Sequence, residues 1–90
     1  MRAWPSPVAA LNRSAARSQL PGVDLAAVLR EIDGLVLDGY PYLPATRADV
    51  LARLGRAEEA AAAYAEALAL TTNAVERRYL AHKLIGRGDP

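Results

Sequence analysis

Apolar side chains recur along this chain at three- and four-residue intervals and nowhere alternate with polar ones over the length of a strand, so the pattern predicts helices throughout. The first is expected to open at Ser6, an N-cap, with Pro7 in the first helical position, where a missing N–H costs nothing. Val8, Leu11, Ala15 and the Ser18-Gln19 pair carry its buried side as far as Leu20. Pro21-Gly22 then reads as a turn. A second helix is expected over about Val23 to Asp33, burying Leu25, Val28, Leu29 and Ile32, with Asp24 near the positive end of its dipole. Gly34 and Gly39 bracket a looser segment holding Tyr40-Pro41-Tyr42. Pro44 opens a third helix with Val50, Leu51 and Leu54 as its stripe, and Gly55 ends it as a left-handed C′ residue.

The fourth helix, about Ala57 to Leu70, has the clearest pattern. Glu58 and Glu59 stand in its first turn, and Ala60, Tyr64, Ala67 and Leu68 share a face. Asn73 followed by Glu76 matches a capping box for a fifth helix, Ala74 to Ile85, expected to bury Val75, Tyr79, Leu80 and Leu84 and to stop at Gly86. The expected fold is all-α: about five helices in antiparallel hairpins, with residues 1–6 and 87–90 as tails around a domain at 7–86.

Ninety residues suffice for one small domain, which buries only about 60–65% of its unfolded surface and gains from a partner covering one face. Alanine is the commonest residue of the 52% hydrophobic share, which has one Trp, four Tyr and no Phe. Such cores require close backbone approach, because alanine contributes little area of its own. The absence of cysteine removes disulfides, thiolate metal sites and Cys nucleophiles together. A net charge of +1 provides no global field for nucleic acid. No apolar run reaches the roughly 20 residues of a membrane span, and Arg13 and Arg17 interrupt any secretory signal, so a cytoplasmic protein is expected.

Catalytic chemistry finds little support. His82 is the lone histidine and has no Ser or carboxylate at triad spacing. Glu58 and Glu59 are adjacent on a helix and point about 100° apart, which does not make an acid/base pair. No convergent metal-ligand set and no glycine-rich phosphate loop occurs, so neither metal nor cofactor is expected. Arg77-Arg78 read as a solvated face, because Glu76 beside them reduces the local potential.

The turn glycines Gly22 and Gly55 are 33 residues apart. This is close to the period of about 34 residues of the tetratricopeptide repeat. Gly55, Ala60, Tyr64 and Ala67-Leu68 resemble the second helix of that repeat: small Ala60 and Ala67 let the helices close, and Tyr64 fills the gap between hairpins. Pro44, Ala48 and Thr72 depart from its Trp, Gly and terminal Pro. Pro7 to Asp33 keeps only the turn glycine and Ala27, so the resemblance implies one good repeat, one degenerate repeat and a capping helix.

A longer order of motifs adds to this. Leu11-Asn12-Arg13, Tyr40-Pro41-Tyr42-Leu43, Ala45-Thr46-Arg47-Ala48, Leu54-Gly55-Arg56 and Asn73-Ala74-Val75-Glu76-Arg77 occur in sequence, and from Pro7 to Leu84 the chain is similar to the C-terminal tetratricopeptide-like region of a subgroup of extracytoplasmic-function RNA polymerase sigma factors. The resemblance implies a non-catalytic module that regulates transcription initiation by contacting the sigma domains, RNA polymerase or a regulator. Nearly the whole chain is used by this region, so the resemblance implies no direct promoter contact. The chain is then a fragment, a separately encoded remnant, or one that carries the family pattern without its activity.

In such folds the first helix of each hairpin lines a concave groove. Asn12 and Arg13 would lie on one such helix, Asp49 and Arg53 on the next, and Tyr79 and Lys83 on the last. The candidate protein-binding residues are Asn12, Arg13, Tyr42, Arg47 and Arg53, whose amide and guanidinium groups suit a peptide carboxylate or backbone. The same residues admit another reading, in which Asn12 and Arg13 tie down the Tyr40-Pro41-Tyr42 loop and Arg47 is likewise structural. A free-standing helical scaffold that self-associates through exposed apolar ends is the alternative to a sigma-factor module.

Overall fold

The computed structural model describes residues 6–86 and contains five helices, with no strand among the described residues: α1 (Pro7–Arg17), α2 (Leu25–Asp33), α3 (Tyr42–Arg53), α4 (Ala57–Leu70) and α5 (Ala74–Gly86). Each helix packs against its neighbour in the sequence, α1 on α2, α2 on α3, α3 on α4 and α4 on α5. The architecture is an all-α succession of helical hairpins. Of the expected tails at 1–6 and 87–90, Ser6 is described, as the N-cap of α1, and the rest lie outside the described residues.

The helix starts follow local chemistry. Ser6 is an extended N-cap whose Oγ accepts from the Val8 and Ala9 N–H groups at 3.1 and 3.4 Å. Asn73 Oδ1 accepts from the Glu76 N–H at 3.0 Å, the N-cap half of the expected capping box. Asp24 proves to be the N-cap of α2, accepting from Ala27 N–H at 3.2 Å, so α2 begins at Leu25 and not at Val23. α3 begins at Tyr42, two residues before the expected Pro44. Pro41 already has helical φ and ψ, and Pro44 falls in the first turn, where its missing N–H would have no intrahelical partner. α1 ends at Arg17, short of Leu20. Pro21 disfavours a helical Leu20, and the last bonds tighten to Gln19 N–H on Ala16 O and Leu20 N–H on Arg17 O.

Gly22 and Gly55 take left-handed φ values of +75° and +83°, as a reversal between antiparallel helices needs. The tightest packing is at the second of these turns. Ala48, Val50 and Leu51 on α3 are fully enclosed against Ala60, Ala63, Tyr64 and Ala67 on α4. The alanines bring the two backbones close, and Tyr64 and Leu51 occupy the remaining space. Leu11, Val28, Leu29 and Ile32 continue the core into the first hairpin, and Leu80 closes it on α5.

One expectation for α5 fails. Leu80 is buried and Leu84 half-buried, but Val75 and Tyr79 are 69% and 58% exposed. A single helix packed against α4 buries one narrow stripe. Val75 and Tyr79 lie beside that stripe, with no further helix over them.

These features set the cost of substitution. Leu51→Ala should lower the unfolding free energy by about 2–5 kcal/mol. Gly55→Ala places an L-residue at left-handed φ and should cost about 1–2 kcal/mol, although its Cβ meets no atom within 4 Å. Gly34→Ala is the control: Gly34 sits at φ −83° and its Cβ would make only ordinary contacts with the Arg30 and Glu31 carbonyls. That variant should be stabilised by about 0.4–1 kcal/mol. Urea unfolding monitored by circular dichroism reads all three as midpoint shifts at constant slope.

Candidate functional site

A groove of about 350 Å³ runs between the N-terminal half of α3 and α5. Pro41, Ala45, Leu80 and Thr71 line its inner part, and Tyr42, Val75 and Tyr79 form its walls. Its lining is mostly apolar, with Glu76 the one charged residue there. The Tyr42 ring is 58% exposed and leans on Tyr40, with ring centres 5.8 Å apart and planes tilted by 55°. Such a surface suits an apolar side chain from a partner, with two phenols available as hydrogen-bond donors or acceptors.

Arg77 sets the position of α5. Its Nη1 donates to the carbonyls of Leu68 and Thr71 at 2.8 and 2.9 Å, adding a second bond to the Leu68 oxygen that already accepts from the Thr71 N–H at 3.3 Å. Thr71 Oγ1 adds a bond to Ala67 O at 2.7 Å. Arg77 and Arg78 are both exposed, as a solvated face requires, and the Arg77 guanidinium in addition caps the preceding helix. Behind the groove, burial pushes the Tyr64 phenol above its usual range, and the Asp49 and Tyr79 charges act in the same direction.

The five candidate residues do not converge. Tyr42 lies in the groove. Arg47 Nε pairs with Asp33 Oδ1 at 2.7 Å and ties α3 to the end of α2. Arg53 Nη2 donates to Ser18 O at 2.6 Å, with Asp49 at 3.5 Å from Nη1, so its guanidinium joins α3 to the end of α1. Arg13 lines a separate cleft of about 270 Å³ between α1 and α2 with Ser14, Arg17 and Glu31. Asn12 is exposed on α1. Among the described residues, neither Asn12 nor Arg13 hydrogen-bonds to Tyr40 or Tyr42. Of the groove residues on α5, Tyr79 stands at an expected groove position, whereas Val75 went unseen because its spacing matches a buried stripe. Their identity as exposed residues depends on which helix covers α5.

Among the described residues no group of three or more His, Cys, Asp or Glu could hold a metal ion, and His82 is exposed on α5. Among the described residues, no helix is long and apolar enough to cross a membrane.

No family model matches the chain. No solved structure matches it. The chain is similar to an uncharacterized protein of Rhizobium meliloti (strain 1021), 43% identical over 83 residues, which cover 92% of this chain and 20% of that protein. The chain thus spans about a fifth of the length of the relative it matches.

Two carboxylates at helix ends give the molecule an acid-sensitive component. Glu31 is held below its ordinary value of 4.5, chiefly by the hydrogen bond from Arg17 and further by Ser14 Oγ at 3.1 Å. Glu59 is held below 4.5 chiefly by Arg56, whose Nε and Nη2 donate to the carboxylate at 2.7 and 2.9 Å. The unfolded chain takes up these protons at higher pH than the folded one. Their contribution to stability is therefore present above pH 4.5 and lost as the pH falls through the lowered values. The thermal midpoint should fall on acidification below pH 4.5, and the fall should be shallower in the Glu31→Gln/Glu59→Gln variant. Parallel curves for the two proteins would show that these pairs carry no linkage.

Proposed function

We propose that the chain is a non-catalytic protein-interaction module, the tetratricopeptide-like C-terminal region of an extracytoplasmic-function sigma factor. It regulates transcription initiation in the cytoplasm by contacting the sigma domains, RNA polymerase or a regulator, without touching promoter DNA itself. The observation that carries this reading is the apolar groove between α3 and α5, with Tyr42 and Tyr79 exposed on its walls. Large exposed aromatic side chains beside an apolar cleft are the composition of a protein-binding hot spot. The motif order from Leu11-Asn12-Arg13 to Asn73-Ala74-Val75-Glu76-Arg77 supplies the family. The similarity to a bacterial protein about five times longer accords with a module that works inside a larger chain.

Tyr42 then serves as the anchoring aromatic. Arg47 and Arg53, engaged with Asp33 and the Ser18 carbonyl, hold α3 in place so that Tyr42 is presented. Asn12 and Arg13 form a separate polar rim on α1.

Binding of the chain to the purified helical domains of a sigma factor of this subgroup, read by calorimetry, tests the proposal. Tyr42→Ser should weaken binding about tenfold or more with an unchanged circular dichroism spectrum, and the chain added in trans should alter promoter-dependent transcription. An absence of binding together with unaltered transcription would overturn it.

A further inference from the structure

The exposed side of α5 carries an apolar stripe bordered by two opposite charges. Val75 and Tyr79 are one turn apart and exposed, making a short apolar stripe along the outer side of the helix. Glu76 and Lys83 flank this stripe on the same side, about two turns apart, with the acid near the N-terminal end and the base near the C-terminal end. Both are exposed, and neither forms an ion pair among the described residues. Lys83 Nζ instead lies 5.5 Å from the centre of the Tyr79 ring, where its charge is poised at the edge of the stripe.

This polarity selects one partner and one orientation. When a second α5 is laid antiparallel across the first with the two-fold near Tyr79, each Glu76 faces the other copy's Lys83, and the tyrosines meet at the centre. A parallel pairing would set Glu76 against Glu76 and Lys83 against Lys83. The antiparallel arrangement also opposes the helix dipoles favourably. We propose that the α5 stripe is a self-pairing surface, a two-fold isologous contact between two copies of this chain through Val75, Glu76, Tyr79 and Lys83. Because Val75, Glu76 and Tyr79 also line the groove, the paired state covers it. The proposal stands independently of what the groove binds.

A contact of one helix on one helix is smaller than a standard interface, so the dimer is weak, with a dissociation constant on the order of 10–100 μM. In sedimentation equilibrium of the whole chain, the weight-average mass should rise from one chain towards two between about 10 μM and about 1 mM. Glu76→Lys and Lys83→Glu should each weaken this association about tenfold or more, since each places like charges across both ends of the contact. Mixed in equal amounts, the two variants should form a heterodimer at least as tight as the original, because both ends then join Lys to Glu. Reversing either charge also opposes the dipole of α5, so circular dichroism of each variant checks the helix, while recovery on mixing cannot arise from a damaged fold. A wild-type chain that stays monomeric to about 1 mM would overturn the proposal and leave the stripe to a different partner. So would a dimer indifferent to both reversals, or variants that fail to recover on mixing.

Discussion

The rest of the molecule depends on the close approach of α3 and α4 at the Gly55 turn. Ala48 on one side and Ala60, Ala63 and Ala67 on the other remove the side-chain bulk that would hold the helices apart. Leu51 and Tyr64 then fill the interface completely. Burial of this kind gives a narrow energy minimum, since loss of even one methylene leaves a void and gain of one makes a clash. The position of α4 in turn places Leu68, Thr71 and the Arg77 cap, and so decides where α5 lies and how wide the groove beside it is.

The two ends of the stack are held by different forces. α4 and α5 meet through buried Ala67 and Leu80 and the capping bonds of Arg77. α1 buries Leu11 and Ser14, and its C-cap Ser18 is buried with them. Ser14 is satisfied by Glu31 and Ser18 by the Ala15 carbonyl at 2.6 Å. Its ties to the rest of the chain include the Arg17–Glu31 pair and the Arg53 bond to Ser18 O. Half-exposed ion pairs contribute little each and weaken with salt. Charge pairs therefore make up more of what ties α1 to the chain than of the α3–α4 interface, whose buried residues are apolar apart from the Tyr64 hydroxyl.

Much of the fold was legible in local chemistry. Ser6-Pro7, Asn73 with Glu76, and Gly55 mark helix ends through interactions spanning three or four residues, which a sequence displays directly. The errors fall where distant contacts decide. Arg77 is the exposed charge its sequence suggests, but only the end of α4 beside it shows that it also caps a helix. Arg53 looks like a groove ligand until the Ser18 carbonyl meets its guanidinium. Tyr42 was legible as a candidate but as part of a looser segment, and the structure instead sets it at the start of α3. Arg13 and Asn12 were legible as polar residues of α1, but they sit across a different cleft from Tyr42.

The sequence alone determined the number of helices, their turns and the alanine faces on which they close, because these follow from caps, left-handed glycines and a spacing of three to four residues. Only the tertiary structure decided which apolar residues of α5 are core and which are surface. Leu80 and Tyr79 are neighbours with equal claim to burial by pattern. α4 covers the first, and among the described residues no helix covers the second, so burial is conferred by a neighbour and not by the residue itself.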